Sequence, residues 1–229
     1  MAAPQRETLL EATARFVREM TELSCARLSP AIRLHLATEI TPLWQASEAF
    51  LNQHDIAPPF WAFAWPGSEA LAYYIVRHPE FVRGRRVLDF AAGCGLAALA
   101  CARAGALSVE AAEIDPLACA ALRLNASANG LNIDVTLGDI VGAPCRWDVI
   151  LCGDVCYEAP MTAHILPWLA VLAGQAEVVI ADPGRKYRPA SMGEFLAEIE
   201  VPTSLELEDK PHRTVHLFRL QGNGVMRSE

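Results

Sequence analysis

Acidic residues and glycines follow three successive apolar stretches of the sequence. The first stretch leads into Asp89-Phe90-Ala91-Ala92-Gly93-Cys94-Gly95, the second into Glu113-Ile114-Asp115-Pro116 and the third into Gly138-Asp139. Glycines after a buried strand let a ligand lie against the backbone. A carboxylate offers two acceptor oxygens to the vicinal hydroxyls of a ribose. Together these features predict a site for a cofactor that contains a nucleoside.

Each position in this predicted cofactor site also has a structural interpretation. Two glycines after a strand are typical of an ordinary strand-to-helix turn, and their spacing is not the GxGxxG of dinucleotide-binding sites. We favour Glu113 over Asp115 for the ribose, because an aspartate followed by proline also marks the start of a helix. Asp139 is placed to accept a hydrogen bond from an adenine amine.

Two further polar groups follow the fourth and fifth apolar stretches. Asp154 and Tyr157 come after the fourth, and Asp182 and Arg185 after the fifth. A carboxylate and an aromatic ring together suit a cationic substrate group. The alternatives are a helix N-cap for Asp154 and a packed aromatic for Tyr157. Asp182 and Arg185 either bind substrate or pair with each other.

The apolar stretches alternate with helical patterns, which predicts a parallel, doubly wound α/β sheet. Such sheets bind ligands at the carboxyl ends of their strands, which is where the polar groups fall. The predicted strands are 86–90, 107–114, 133–137, 147–152, 177–181, 205–207 and 214–220. The predicted helices are 7–24, one or two within 29–51, 68–76 with Ser68 as N-cap, 96–104, 116–129, 161–173 and around 191–199. The last two strands lack a helix between them, so we expect an antiparallel hairpin at one edge.

Three segments follow from this pattern. Residues 1–57 are predicted to form a helical N-terminal extension, 58–222 the α/β domain and 223–229 a disordered tail.

The composition argues against several classes of protein. The chain has 229 residues and a net charge of −8, whereas non-specific nucleic-acid binding requires a basic surface. The seven cysteines include no CxxC pair and no cluster with metal-ligand spacing, so we expect no metal and a reducing compartment. Acidic residues near the N-terminus and the lack of a long apolar run argue against a signal peptide and a membrane span. We therefore expect a cytoplasmic protein, which we expect to be a monomer.

The spacing of Asp154 and Tyr157 gives an Asp-x-x-Tyr motif similar to that of class I protein lysine methyltransferases with seven-stranded, Rossmann-like sheets. Within this group, the chain resembles the lysine methyltransferases of the electron-transfer flavoprotein β subunit, as a bacterial-type member. The matching stretches are Pro30 to Leu36, Pro59-Phe60-Trp61-Ala62, Trp65-Pro66-Gly67, Val87-Leu88-Asp89, Gly93-Cys94-Gly95, Asp115-Pro116, Trp147-Asp148, Gly153-Asp154, Tyr157 and Asp182-Pro183-Gly184-Arg185. The departure is Ala91, where the family usually has glycine.

The resemblance implies S-adenosylmethionine as the cofactor and a protein lysine as the methyl acceptor. Asp154 would hold the acceptor amine, and Tyr157 would place its ring or hydroxyl nearby; both are predicted to be catalytic. Asp182 and Arg185 are predicted to bind the protein substrate. Trp65 would close over the cofactor, unless it is a core tryptophan. The predicted cofactor contacts are Trp65, Asp89, Gly93, Cys94, Gly95, Glu113, Ile114, Asp139 and Gly153.

Other functions remain open from the sequence. The acceptor is expected to be the electron-transfer flavoprotein β subunit, but another basic protein such as a ribosomal protein, or a small amine, is an alternative. A non-catalytic adenosylmethionine-binding adaptor is disfavoured by the presence of Asp154 and Tyr157. A nicotinamide-binding oxidoreductase is disfavoured by the absence of GxGxxG. The target lysines and the number of methyl groups are not determined by the sequence.

Overall fold

The computed structural model describes residues 8–39, 41–45 and 58–222. The strands are β1 (Glu22–Cys25), β2 (Arg33–Leu36), β3 (Arg86–Phe90), β4 (Ser108–Glu113), β5 (Asp134–Leu137), β6 (Val149–Gly153), β7 (Glu177–Asp182), β8 (Glu194–Pro202) and β9 (His212–Arg219). The α-helices are α1 (Leu9–Met20), α2 (Pro42–Gln45), α3 (Pro66–Arg77), α4 (Leu96–Arg103), α5 (Pro116–Asn129), α6 (Ala159–Leu172) and α7 (Leu205–Glu208). Short 3-10 turns cover Phe60–Ala62 and Pro79–Phe81.

Seven strands form one sheet in the order β5-β4-β3-β6-β7-β9-β8. Strands β3 to β7 run parallel, and β9 is antiparallel to both β7 and β8. The predicted α/β fold class with an antiparallel edge is therefore confirmed. The chain turns from β4 and β5 on one side of β3 to β6 and β7 on the other, which places the topological switch point at the carboxyl end of β3.

Helices cover both faces of the sheet, and the side chains of the central strands alternate between them. In β6, Val149 and Leu151 join the core beneath α3 and α4, whereas Ile150 and Cys152 join the core beneath α6. All four residues are fully buried. This two-sided burial explains why the parallel strands are continuous apolar runs in the sequence rather than alternating patterns.

The N-terminal extension is only partly helical. The predicted helix at 7–24 is confirmed for α1, Leu9–Met20, but is wrong for residues 22–24, which belong to β1. Helix α1 begins at a capping box in which Thr8 and Glu11 satisfy each other's backbone N–H groups. The prediction of helices within 29–51 is wrong for residues 33–36, because β2 pairs with β1 as an antiparallel hairpin. Residues 46–51 lie outside the described part of the chain.

Packing on α5 explains the strand at residues 33–36. Leu34 and Leu36 are buried on one face, and the backbone N–H groups of Arg33 and His35 donate to the side-chain amides of Asn129 and Asn125 at 3.0 and 2.7 Å. Tertiary contacts therefore override the local helical pattern.

The C-terminal elements also differ from the prediction. The segment around 191–199 belongs to strand β8 rather than to a helix, and residues 205–207 belong to α7 rather than to a strand. Strand β8 pairs along its length with β9, and in it Glu198 and Glu200 alternate with Ile199 and Val201. The edge hairpin is therefore confirmed, although its first strand is β8. The predicted tail, 223–229, lies outside the described residues.

Candidate active site

A cavity of about 610 Å³ opens at the carboxyl ends of β3, β4 and β6, which is within the usual size range for small-molecule sites. The predicted residues in its wall are Trp65, Gly93, Glu113, Ile114, Asp139, Gly153, Asp154, Tyr157 and Arg185. The sequence reasoning missed other wall residues, which include Phe60, Trp61, Phe90, Ala118, Ile140, Met161, His164, Ile165 and Leu207.

Glu113 is held in place at the end of β4 by backbone donors. The N–H of Gly93 donates to Oε1 at 2.7 Å, and the N–H of Ile114 donates to Oε2 at 3.0 Å. Burial raises the pKa of Glu113, and these backbone hydrogen bonds partly oppose the rise. A carboxylate accepts about four hydrogen bonds, so both oxygens retain lone pairs for hydroxyl groups in the cavity.

Asp115 has a different role from Glu113. Its Oδ1 accepts the N–H of Leu117 at 2.7 Å, and Asp115 is the N-cap of α5. This is the helix-start alternative that the Asp-Pro pair indicated.

Asp139 is more constrained than its sequence suggested. Its Oδ1 accepts the N–H of Val141 at 2.9 Å, and its Oδ2 lies 2.8 Å from Nε2 of His164. The Val141 and His164 hydrogen bonds lower the pKa of Asp139. Both side chains are about half exposed, so the His164–Asp139 pair forms one polar edge of the cavity.

Three of the predicted cofactor residues lie behind the cavity wall. Asp89 is buried, and its carboxylate accepts the N–H of Ala98 at 2.9 Å; burial raises its pKa to about 8. Cys94 is buried in the core. A side chain at Gly95 (φ +79) would meet Leu122. Asp89, Cys94 and Gly95 therefore do not line the cavity and support the loop from behind, and direct cofactor contacts for them stay a prediction.

Two residues of the same loop face the cavity, Gly93 and Ala91. Ala91 has a φ of +55°, a left-handed conformation that disfavours residues with a Cβ. The departure from glycine at this position therefore carries backbone strain.

Asp154 is buried at the junction of β6 and the start of α3. Its N–H donates to the carbonyl of Ala181 at 3.0 Å, its Oδ2 accepts the N–H of Gly67, and its Oδ1 accepts Nε of Arg185 at 2.8 Å. Burial raises the pKa of Asp154 to about 6, although Arg185 and the Gly67 N–H act to lower it. The positive end of the α3 dipole also favours an anion here.

Gly67 and Gly153 allow this close approach between helix and strand. A Cβ at Gly67 would lie 2.5 Å from Oδ2 of Asp154, and one at Gly153 would lie 2.9 Å from the N–H nitrogen of Ser68. Ser68 is not the N-cap that the sequence predicted, since α3 begins at Pro66 and is capped by Trp65. Gly67 is a site residue that sequence reasoning missed; Trp-Pro-Gly before a helix was its available signal.

Arg185 joins Asp154 to a buried carboxylate on α7. Its NH2 lies 2.6 Å from Oδ1 of Asp154 and 2.6 Å from Oε1 of Glu208. Glu208 in turn accepts from Nε of Arg213 at 2.9 Å. The sequence pattern does not indicate Glu208 as a partner of Arg185, because it predicts a strand at 205–207 instead of α7.

Asp182 does not line the cavity. Its side chain is fully buried, and its Oδ1 accepts the N–H groups of Gly184 and Arg185 at 2.7 and 2.9 Å. Asp182 therefore shapes the turn that carries Arg185, and a role for it in substrate binding stays a prediction. The Arg185 side chain pairs with Asp154 and Glu208, which neither substrate binding nor pairing with Asp182 had described.

Aromatic rings surround the approach to Asp154. The Phe60 ring lies 6.0 Å from Trp65 and 5.6 Å from Tyr157, centroid to centroid. Trp65 Nε1 donates to the carbonyl of Phe60 at 2.7 Å, and the Arg185 guanidinium carbon lies 5.7 Å from the Trp65 ring centre. Trp65 is thus a wall of the cavity; the buried core tryptophan of this segment is Trp61.

The described part of the chain contains no helix that is long and apolar enough to cross a membrane.

Comparison with known proteins agrees with this geometry. Residues 64–153 match the family model "Methyltransferase small domain". A solved structure of magnesium protoporphyrin IX methyltransferase from Synechocystis, with 15% identity, superposes with a TM-score of 0.52 over 79% of this chain and 88% of that one. A Thermoplasma acidophilum protein with 14% identity also has a TM-score of 0.52, over 68% and 90%. These likenesses agree with the fold.

Curated relatives are more similar in sequence. The electron transfer flavoprotein beta subunit lysine methyltransferase of Xenopus laevis is 36% identical over 174 residues, 74% of this chain and 70% of that protein. The human enzyme of that name is 36% identical over 74% of this chain and 66% of that protein. The Caenorhabditis elegans homolog is 27% identical over 93% and 97%. The chain therefore belongs to the family of electron transfer flavoprotein beta subunit lysine methyltransferases and is a methyltransferase that uses S-adenosylmethionine.

Proposed function

We propose that this enzyme transfers methyl groups to lysine side chains of the electron-transfer flavoprotein β subunit. The observation that carries the proposal is Asp154, which is buried in the wall of the cavity that the aromatic residues Tyr157, Phe60 and Trp65 also line. An anion flanked by aromatic faces suits an amine that becomes a cation during transfer. The named substrate of the relatives supplies the identity of the acceptor protein.

The cavity fits the nucleoside part of S-adenosylmethionine. Glu113 would accept the ribose hydroxyls, since both of its oxygens have lone pairs left in the cavity. Asp139 would face the adenine amine, and Gly93 would let the ligand approach the backbone. When bound, the cofactor supplies a methyl group on a positively charged sulfur.

The residues around Asp154 deal with the acceptor amine. A free lysine has a pKa of about 10.4, so fewer than about one in a thousand is neutral at pH 7. Asp154 would orient the amine through a hydrogen bond. Burial raises the pKa of Tyr157, so its hydroxyl stays protonated and acts as a neutral donor or ring face. Positioning of the amine and removal of its water then contribute most of the rate acceleration.

The acidity of Asp154 sets a lower limit for activity. Because its pKa is about 6, the carboxylate is lost as the pH falls through 6, and kcat/KM should fall with it. In Asp154→Asn the amide retains the shape but not the charge. We expect near wild-type affinity for S-adenosylhomocysteine, measured by calorimetry, and loss of most turnover. Loss of cofactor binding instead would place Asp154 in the cofactor site.

The substrate is tested with tritiated S-adenosylmethionine. The acceptors are purified flavoprotein, its Lys→Arg variants and a panel of ribosomal proteins, and labelled residues are located by mass spectrometry. Label on flavoprotein lysines supports the proposal. Label on ribosomal proteins alone would overturn this substrate and keep lysine methylation, whereas no label on any protein lysine would overturn both.

A ribosomal protein remains the second candidate acceptor. The ribosomal protein L11 methyltransferase of Klebsiella pneumoniae is 31% identical over 114 residues, but this covers only 43% of the chain. Several expectations stay predictions. They are the Asp-x-x-Tyr motif as the acceptor site, the bacterial-type grouping, the domain boundaries at 57 and 222, the monomeric state and the cytoplasmic location.

A further inference from the structure

Arg185 brings a permanent positive charge to the place where the acceptor amine must arrive. Its guanidinium lines the same cavity as Asp154 and contacts the carboxylate through both Nε and NH2. Arginine is not deprotonated in proteins. Any amine that reaches Asp154 therefore meets this cation beside it.

The charges around Arg185 nearly cancel. Asp154 on the loop after β6 and Glu208 on α7 both bind it, and Arg213 on β9 balances Glu208. The loop after β7 contributes Asp182, which accepts the backbone N–H of Arg185 and lies 3.8 Å from Nε of Arg188.

The remaining neighbours complete the surroundings. The segment before α3 contributes the uncharged Trp65 ring. The other titratable residues of the cavity wall are Glu113, Asp115, Tyr157 and the paired Asp139 and His164. Asp154 is therefore a compensated anion, and an ammonium gains less from it than it would gain from a lone carboxylate.

We propose that Arg185 is a positioning residue that makes the acceptor site select the neutral form of the lysine amine. The inference rests on the proposed lysine methyltransferase function. A nearby cation disfavours the protonated amine, whereas a lone carboxylate would favour it. The proton leaves to water before the amine enters, and the amine then arrives with its lone pair available, oriented by the oxygen of Asp154 that Arg185 holds.

Glu208 makes this arrangement rigid. Its carboxylate accepts hydrogen bonds from NH1 and NH2 of Arg185 at 3.2 and 2.6 Å. The guanidinium therefore bridges two buried acids and is held in the cavity wall. Although burial alone would lower it, contacts with Asp154 and Glu208 raise the pKa of Arg185. The cation is thus present throughout the working pH range.

The test compares wild type with Arg185→Gln and Arg185→Lys, using the electron-transfer flavoprotein β subunit as acceptor. In Arg185→Gln we expect the rise of kcat with pH to move upward by about one pH unit or more. At pH values below this rise, a shift of one pH unit lowers kcat by about tenfold relative to wild type, without an increase in KM. Arg185→Lys keeps the charge and should keep the rise near its wild-type position.

A direct measurement separates the amine from Asp154. The acceptor lysine carries one ¹³C-labelled methyl group, and its NMR shift is titrated in the complex with S-adenosylhomocysteine. The amine should titrate at higher pH in Arg185→Gln than in wild type. Arg213→Gln is the matched control, since it also removes one positive charge from the network but does not contact Asp154, and the amine should titrate closer to its wild-type pH there than in Arg185→Gln.

The inference would be overturned by an unchanged amine titration in Arg185→Gln or by an equal shift in Arg213→Gln. A lower kcat with an unmoved pH profile would show a merely structural role for Arg185. Failure of the wild-type enzyme to label any lysine would instead overturn the proposed function.

Discussion

Replacing Glu113 by glutamine tests the cofactor site most directly. The change keeps the size of the side chain but removes the charge and one acceptor oxygen. Each hydrogen bond to a charged group contributes about 1.5–3 kcal/mol, so loss of the charged contact to the ribose should weaken S-adenosylmethionine binding by roughly 10- to 150-fold.

The fold should tolerate this variant. Glutamine can satisfy only one of the two backbone donors, Gly93 or Ile114, which costs about 1–3 kcal/mol. This loss is offset because a buried charge is removed, and burial is what raises the pKa of Glu113 in the folded protein. We expect a melting temperature within a few degrees of wild type, a shift of order 1 kcal/mol.

Isothermal titration calorimetry with S-adenosylmethionine and S-adenosylhomocysteine measures the effect. Asp115→Asn is the matched control, because asparagine caps a helix as well as aspartate does and should leave the affinity unchanged. In wild type the affinity should weaken as the pH falls through the raised pKa of Glu113, since protonation removes acceptor lone pairs. The glutamine variant should not show this pH dependence.

An unchanged dissociation constant in Glu113→Gln, with a loss in Asp115→Asn, would move the ribose to Asp115. No loss in either variant would refute the reasoning that assigns this cavity to the nucleoside.

Three smaller changes test the loop, the helix start and the core. Ala91→Gly removes a Cβ from a residue with a φ of +55°. The relief of strain, about 1–2 kcal/mol, exceeds the entropy cost of glycine, about 0.5–1 kcal/mol, so thermal stability should be equal or slightly higher. A clear drop in melting temperature would contradict the strain. Gly67→Ala forces a Cβ to 2.5 Å from Asp154 and should lower the free energy of unfolding by about 1–3 kcal/mol, measured with denaturant. Gly174→Ala is the control, since its Cβ would come no closer than 3.5 Å to the carbonyl of Val171, and it should change stability little. In the folded state Asp89 keeps its proton up to about pH 8, whereas the unfolded chain loses it at about pH 4, so wild type loses stability as the pH rises from about 4 to 8. Asp89→Asn should remove this slope and be more stable than wild type at pH 8 by at least about 1 kcal/mol. A pH dependence parallel to that of wild type would refute the assignment.

Much of the site was predictable because its positions are local. Strands β3 to β7 are short apolar runs separated by helical patterns, and parallel strands place their carboxyl ends at one edge. The positions of Glu113, Asp139, Asp154 and Tyr157 at strand ends follow from that rule. All four line the cavity.

Other features depend on contacts that the local pattern does not contain. Strands β2 and β8 pair in hairpins with their chain neighbours β1 and β9. Strand β2 also packs on α5, whose Asn125 and Asn129 lie about 90 positions away, and these contacts override local propensity. Asp89 and Asp182 have the chemistry of site residues, but only tertiary packing shows that they point into the core.

The sequence by itself determined the parallel α/β sheet and which strand ends carry acids, since both follow from periodicity and chain order. Only the tertiary structure decided which acidic side chains line the cavity and which cations balance their charge. Arg185 reaches Asp154 across 31 positions and Glu208 across 23. Their meeting depends on the close approach at Gly67 and on α7, and the local pattern at 205–207 predicts a strand instead of this helix. Charge compensation acts through space, so the sequence supplies the charged groups while the fold sets the distances that give them their function.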